Sequence, residues 1–204
     1  EYIVVNADAL LRIPKEMDSV TAAGFTMTYG TSMYGLKQRG CLKSGEKLLV
    51  LGAGGGVGIT AVEIGKIMGA EVIAAASSEN KLAAAKRAGA DHLINYSEGN
   101  IREKIKNIVG SSGIDVLYDP VGGELFEPCL RSLAWGGRAL VIGFASGTIP
   151  KLPTNLTLVK GCSVVGVFWG AFRIKETEED NKNFEILFKW FKEKKLSPLV
   201  SQKF

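Results

Sequence analysis

Short apolar runs along the chain alternate with stretches in which apolar residues recur at helical spacing. The first run, 48–51, is followed after several glycines by one helical face, made of Val57, Thr60, Ala61, Ile64 and Met68. We predict strands at 48–51, 72–76, 92–94, 116–118, 139–142 and 163–167. We predict helices at 57–68, 82–88 and 126–133, a further helix marked by Ile101, Ile105 and Ile108, and a charged helix from about 177.

The predicted strands are almost wholly apolar, which is typical of a parallel sheet covered by helices on both faces. We therefore expect the α/β class, with a doubly wound parallel sheet of the Rossmann type over residues 40–170. The last helix is expected to bury its aromatic and aliphatic face, made of Phe184, Leu187, Phe188 and Phe191.

Both ends of the sequence suggest a piece of a longer protein. Residue 1 is Glu rather than Met, and residues 2–5 form a β-type run that opens directly on the chain end. Residues 196–200 begin an extended segment that stops a few residues later. We expect both ends to continue in the complete protein.

Composition narrows the possible partners and compartment. The net charge of +4 over 204 residues comes from intermixed acids and bases, so no basic stripe indicates nucleic acid. No apolar run approaches the roughly 20 residues that span a bilayer, which predicts a soluble protein without a membrane partner. Three scattered cysteines, Cys41, Cys129 and Cys162, are typical of reduced thiols inside a cell, not of a disulfide scaffold or zinc cluster.

Candidate chemistry begins in the glycine turn 52–58, between the first strand and the first helix. Backbone N–H groups and the helix dipole attract a pyrophosphate at such a position. Gly55 would allow close approach of the phosphates and Gly58 close packing of helix on strand, while Ala53 replaces the usual first glycine. With Gly56 and Val57 these residues form the candidate dinucleotide site, although a glycine-rich turn can also be a plain tight loop.

The end of the second strand discriminates between NAD and NADP. An NAD site places Asp or Glu there, but this strand ends at Ala76, and the first carboxylate is Glu79 in the next helix. Ser77, Ser78 and Lys81 instead offer donors to a 2′-phosphate. The alternative is that Ser78 only caps the helix and Lys81 is a solvated surface residue.

Several separated motifs resemble one family. They are AAGF at 22–25, YGTS at 29–32, LKSGE at 42–46, GAD at 89–91, INY at 94–96, DPVGG at 119–123, GGR at 136–138 and IGF at 142–144. In this order they resemble the medium-chain dehydrogenase/reductase superfamily, in its quinone oxidoreductase, ζ-crystallin-like branch. The resemblance covers nearly the whole chain.

The resemblance implies roles for further residues. Tyr96 joins Ser77, Ser78 and Lys81 around the 2′-phosphate of NADPH. The nicotinamide would lie among Thr31, Ile142, Gly143, Phe144, Phe168 and Trp169, although core packing is an alternative for the three aromatic residues. The implied domains are the end of a GroES-like catalytic domain at 1–15, the Rossmann NADP-binding domain at 16–195, and the start of a return to the catalytic domain at 196–204.

The resemblance also implies a zinc-free reductase. A cysteine zinc ligand of related alcohol dehydrogenases falls at Ala23, and His92 is better explained as a capping or surface residue. The expected reaction is hydride transfer from NADPH to a quinone or an α,β-unsaturated carbonyl. Asp119 is assigned no catalytic role, since it can bond the backbone of its own loop, and the catalytic residues are unknown.

Other protein classes are less consistent with the sequence. A short-chain dehydrogenase needs Tyr-x-x-x-Lys, which none of Tyr29, Tyr34, Tyr96 and Tyr118 provides. The missing acid after the second strand argues against a methyltransferase. A non-enzymatic NADPH sensor or crystallin-like protein stays open. We further expect a homodimer formed through the strand at 163–167, in the cytoplasm or the mitochondrial matrix.

Overall fold

The computed structural model describes residues 2–7 and 10–202. Six strands form one parallel sheet: β1 Lys47–Leu51, β2 Glu71–Ala76, β3 His92–Asn95, β4 Ile114–Asp119, β5 Leu133–Val141 and β6 Ser163–Gly166. Eight α-helices connect or flank them: α1 Ser19–Met33, α2 Gly56–Ile67, α3 Glu79–Arg87, α4 Ile101–Val109, α5 Phe126–Leu130, α6 Asn155–Lys160, α7 Trp169–Lys175 and α8 Thr177–Lys192. A π-helical turn, Tyr34–Arg39, continues α1, and a 3-10 turn, Gly123–Leu125, precedes α5.

The strand order is β3-β2-β1-β4-β5-β6, which confirms the doubly wound parallel sheet. Alternate residues of β1 face opposite layers. Leu48 and Val50 belong to the core shared with α1, α2 and α8, whereas Leu49 and Leu51 belong to the core shared with α4 and α5. The strand order reverses between β1 and β4, so a crevice opens beyond the carboxyl ends of these two strands.

Several predicted boundaries need correction. The helix expected at 126–133 ends at Leu130, because Leu133 already pairs with Ile114 as the first residue of β5. On α4 the buried residue of the last turn is Val109, which continues the spacing of Ile101 and Ile105, and Ile108 is only half-buried.

Other differences concern the chain ends and the last helix. Phe184 and Leu187 of α8 are buried as expected, but Phe188 and Phe191 are half-buried. The β-type run at 2–5 forms no strand in the described chain, and the predicted GroES-like remnant stays a prediction. Residues 196–202 form neither helix nor strand, and Leu196 is buried. Among the described helices, none is both long and apolar enough to cross a membrane.

Candidate cofactor-binding site

A cleft of about 840 Å³ lies at the crevice between the ends of β1 and β4. Most of the sequence-predicted site residues line it: Thr31, Gly55, Gly56, Val57, Gly58, Lys81, Tyr96, Ile142, Gly143 and Phe144. They come from α1, the glycine turn, α3 and the loops after β3 and β5. The topology therefore brings together residues that are separated by more than a hundred positions in the sequence.

The glycine turn forms the floor of the cleft and leads into α2. A Cβ atom on Gly58 would overlap the carbonyl oxygen of Gly52 and stand only 2.7 Å from its carbonyl carbon. Helix α2 can therefore approach β1 this closely only with glycine at position 58. Gly55 is exposed at the N-cap of α2, where a side chain would occupy space that a phosphate needs. Ala53 does not line the cleft; it is buried, and its N–H donates to the Ala75 carbonyl at 3.0 Å.

The end of β2 carries no carboxylate, since Ala76 is fully buried. The Lys81 ammonium donates to the Ser77 hydroxyl over 3.1 Å, which places a cation and a hydroxyl beside the cleft. Ser78 stands at the N-cap of α3, yet its side chain makes no capping hydrogen bond within the described chain. Lys81 and Tyr96 line the cleft, whereas Ser77 and Ser78 are half-buried and do not line it.

Lys81 also packs closely over the turn. A Cβ atom on Gly54 would lie 2.5 Å from the Lys81 Cβ, so α3 rests directly on the glycine turn. In the described part of the chain, Lys81 is the one charged residue that lines the cleft. The electrostatics of the site therefore favour an anion at the β2 side.

The opposite side of the cleft is mostly apolar. Thr31, Ile142 and Phe144 line it, and Phe144 is 41% exposed. Phe168 lies outside, in a neighbouring groove that shares Ile142 and Phe144 with the cleft, and it is 75% exposed.

Trp169 likewise does not line the cleft. Its ring packs on Gly30, and its indole N–H donates to Asp180 at 2.9 Å. Asp180 also accepts from Arg173 at 2.9 Å. Trp169 therefore joins α7 to α8 and to α1. This arrangement corresponds to the alternative that Trp169 serves core packing.

Sequence reasoning missed some lining residues: Met27, Gly52, Pro120, Val121, Leu125, Ala145 and Ser146. Pro120 and Val121 could have been found, because residues that follow the strand on the far side of the switch point must face the crevice. Asp119 itself is buried, and its Oδ1 accepts the N–H groups of Val121 and Gly122, each at 2.8 Å. Burial raises the pKa of Asp119, and these two donors oppose the shift.

Possible metal ligands do not converge. His92 hydrogen-bonds Glu71 at 2.8 Å, and Cys41, Cys129 and Cys162 are free. No group of three or more His, Cys, Asp or Glu side chains in the described residues could hold a metal ion.

Residues 56–186 match the protein family described as zinc-binding dehydrogenase. The chain belongs to this family. It is a member of the medium-chain dehydrogenase/reductase superfamily, which confirms the resemblance found in the sequence.

Curated relatives and solved structures agree with this family. Quinone oxidoreductase-like protein 2 of Bos taurus is 36% identical, over 100% of this chain and 59% of the relative. Human quinone oxidoreductase is 32% identical, over 82% of this chain and 50% of the relative. The chain thus spans little more than half the length of these relatives.

The structure of Escherichia coli quinone oxidoreductase complexed with NADPH is similar, with a TM-score of 0.86 and 28% identity. This similarity covers 96% of the present chain and 60% of the Escherichia coli chain. A Pseudomonas syringae quinone oxidoreductase structure has a TM-score of 0.87 and 26% identity, over 96% and 59% of the two chains. The Rossmann-like fold is thereby confirmed.

Proposed function

We propose that this chain is the NADPH-binding domain of a zinc-independent oxidoreductase that reduces quinones or α,β-unsaturated carbonyl compounds. One observation carries the proposal: a glycine turn at the switch point opens into a cleft whose β2 side offers Lys81 and no carboxylate. The quinone oxidoreductase relatives and the NADPH complex of the Escherichia coli protein support it.

The residues present fit the nucleotide from one end to the other. The N–H groups of the first turn of α2 and the helix dipole would hold the pyrophosphate, because Gly55 has no side chain to cover this turn. Lys81, Ser77 and Tyr96 would hold the 2′-phosphate. Thr31, Ile142 and Phe144 would form the wall against the nicotinamide.

NADPH, when bound, supplies a hydride from C4 of its nicotinamide. The chain's own contribution in this proposal is to orient the nucleotide and to keep water from the ring through apolar side chains. Chelation should then leave turnover unchanged, because the proposed acceptors are already electrophilic without a metal. A loss of turnover on chelation, restored by zinc, would contradict the zinc-independent part of the proposal.

We also propose a homodimer. Strand β6 is the edge of the sheet in the described chain, with Ser163 and Gly166 exposed and Val164 and Val165 half-buried. An unpaired edge of this kind can pair with a symmetry-related copy.

Steady-state turnover tests the function directly. The full-length protein is assayed for NADPH oxidation with a panel of quinones and enones, next to this chain alone. We expect turnover by the full-length protein and negligible turnover by the chain alone, because the resemblance places one wall of the acceptor cleft in a GroES-like domain. NADPH binding without turnover of any acceptor would favour the alternative, a sensor or structural protein. Equal turnover by the chain alone would contradict the assigned acceptor site.

A further inference from the structure

Three buried hydroxyl groups meet against the first turn of α2. They belong to Ser32 of α1, Thr60 of α2 and Tyr118 of β4, whose residues are 0%, 2% and 0% exposed. The Ser32 Oγ lies 2.8 Å from the Thr60 Oγ1 and 2.9 Å from the Tyr118 Oη. One serine thus joins a helix, a second helix and the central strand β4.

The hydrogens of this cluster can be assigned by counting donors. Ser32 has a single hydroxyl proton, and the Val57 carbonyl oxygen at 3.0 Å can only accept. If Ser32 donates to Val57, the hydroxyl of Tyr118 must donate to Ser32. Burial raises the pKa of Tyr118, so it keeps the proton that this role requires. Thr60 then donates to Ser32, whose hydroxyl oxygen can accept twice, and all three protons are used.

A cluster of buried hydroxyl groups is energetically less favourable in a core than apolar side chains. Burying a hydroxyl costs free energy unless it is hydrogen-bonded, and an apolar trio would fill similar space without that requirement. Hydrogen bonds, unlike apolar contacts, fix the distance and direction between the groups that they join. A buried polar network of this kind is suited to holding elements in one relative position.

Each element in the cluster supplies a part of the cleft wall. Ser32 follows Thr31, and the carbonyl that Ser32 binds belongs to Val57, which lines the cleft. Tyr118 precedes Asp119, whose carboxylate holds the N–H of the lining residue Val121. The network therefore connects the glycine turn with both neighbouring walls.

We propose that Ser32 is a positioning residue, which holds α1, the first turn of α2 and β4 in the arrangement that accepts the pyrophosphate and nicotinamide of NADPH. This inference rests on the proposed function, because it presupposes that the cleft binds NADPH. No hydrogen bond of Ser32 reaches the β2 side of the cleft, because its partners lie only in α2 and β4. Binding of the 2′-phosphate near Lys81 should therefore not depend on Ser32.

The test compares two ligands on three variants of the chain. Adenosine 2′-monophosphate reaches only the Lys81 side, whereas NADPH reaches the whole cleft. Ser32→Ala should raise the dissociation constant of NADPH by about tenfold, and Tyr118→Phe should raise it by about threefold, as expected for hydrogen bonds lost from a buried network. Both should leave the dissociation constant of adenosine 2′-monophosphate within about twofold of wild type.

Tyr29→Phe is the matched control. Tyr29 is also buried, at 2% exposure, but its hydroxyl donates to Glu63 at 2.5 Å and not to the network. It should leave both dissociation constants unchanged, and thermal melts would show that every variant is folded.

Each outcome decides something. Selective loss of NADPH affinity in Ser32→Ala and Tyr118→Phe supports the positioning role. Unchanged NADPH affinity overturns it, and so does an equal loss for both ligands, which would indicate general destabilisation. If wild type itself does not bind NADPH, the proposed function fails and the inference with it. Tyr118→Phe keeps the test valid should Ser32→Ala fail to fold.

Discussion

Two glycines of the turn should fail in different ways when each is replaced by alanine. In Gly58→Ala the new Cβ overlaps the Gly52 carbonyl oxygen and stands 2.7 and 2.9 Å from the Gly52 carbonyl carbon and the Ala53 Cα. All three are backbone atoms, so no side-chain rotation relieves the contact. In Gly55→Ala the nearest neighbour is the Gly52 oxygen at 3.3 Å, and φ of −89° with ψ of 171° suits any residue.

The magnitudes follow from these contacts. Overpacking costs about 1–3 kcal/mol or more, and the higher helix propensity of alanine returns at most about 1 kcal/mol. Gly58→Ala should therefore lower the free energy of unfolding by about 2 kcal/mol. For a chain of this size that lowers Tm by about 4–8 °C. Gly55→Ala should keep its Tm within about 3 °C. It should weaken NADPH binding by about 10- to 100-fold, because the new methyl group displaces one charge-assisted hydrogen bond between the backbone and a phosphate.

Thermal melts and calorimetric titrations measure both effects. Gly24→Ala is the matched control, since its Cβ would meet nothing within 4 Å and it lies in α1. It should not lower Tm or change NADPH affinity. A Gly58→Ala protein as stable as wild type, or a Gly55→Ala protein with full NADPH affinity, would refute the reasoning about the turn.

Three further predictions concern the assembly, the pH response and the cofactor. Sedimentation should show a dimer at micromolar concentration, and a strict monomer would count against pairing through β6. Burial raises the pKa of Glu63, so its contribution to stability falls as pH rises above about 4.3. The free energy of unfolding of Glu63→Gln, measured with urea, should therefore rise relative to that of wild type between about pH 4 and 7. A constant difference between the two proteins over this pH range would contradict this. Ala76→Asp should weaken NADPH and strengthen NADH in fluorescence titrations, and unchanged affinities for both would argue against the assigned 2′-phosphate pocket.

Local pattern was enough to predict the sheet, because the central strands are continuous apolar runs and the glycine turn marks the first βα junction. The boundary of α5 was wrong, since the pairing of Leu133 with Ile114 is a tertiary contact that local periodicity does not contain. Helix α1 carries the motif residues 22–25 and 29–32, but it packs between other elements and shows little polar–apolar alternation. Its helical state was therefore not predicted.

The candidate site was predicted best where backbone geometry determines it. The positions of Gly55, Gly58 and Lys81 at the cleft follow from the strand–turn–helix order. The packing role of Trp169 depends on its hydrogen bond to Asp180, which the sequence does not reveal. The hydroxyl network was not predicted. Ser32 and Tyr118 are 86 residues apart, and only the topology brings them into contact.

The central claim is tested most directly by calorimetric titration of wild type and Lys81→Ala with NADPH and with NADH. The Lys81 ammonium lies 3.1 Å from the Ser77 hydroxyl, beside a strand end without a carboxylate. A charge-assisted hydrogen bond is worth about 1.5–3 kcal/mol, so Lys81→Ala should weaken NADPH by about 10- to 100-fold and leave NADH unchanged. Wild type should prefer NADPH. Equal affinities for the two nucleotides in wild type, unaffected by Lys81→Ala, would contradict the account.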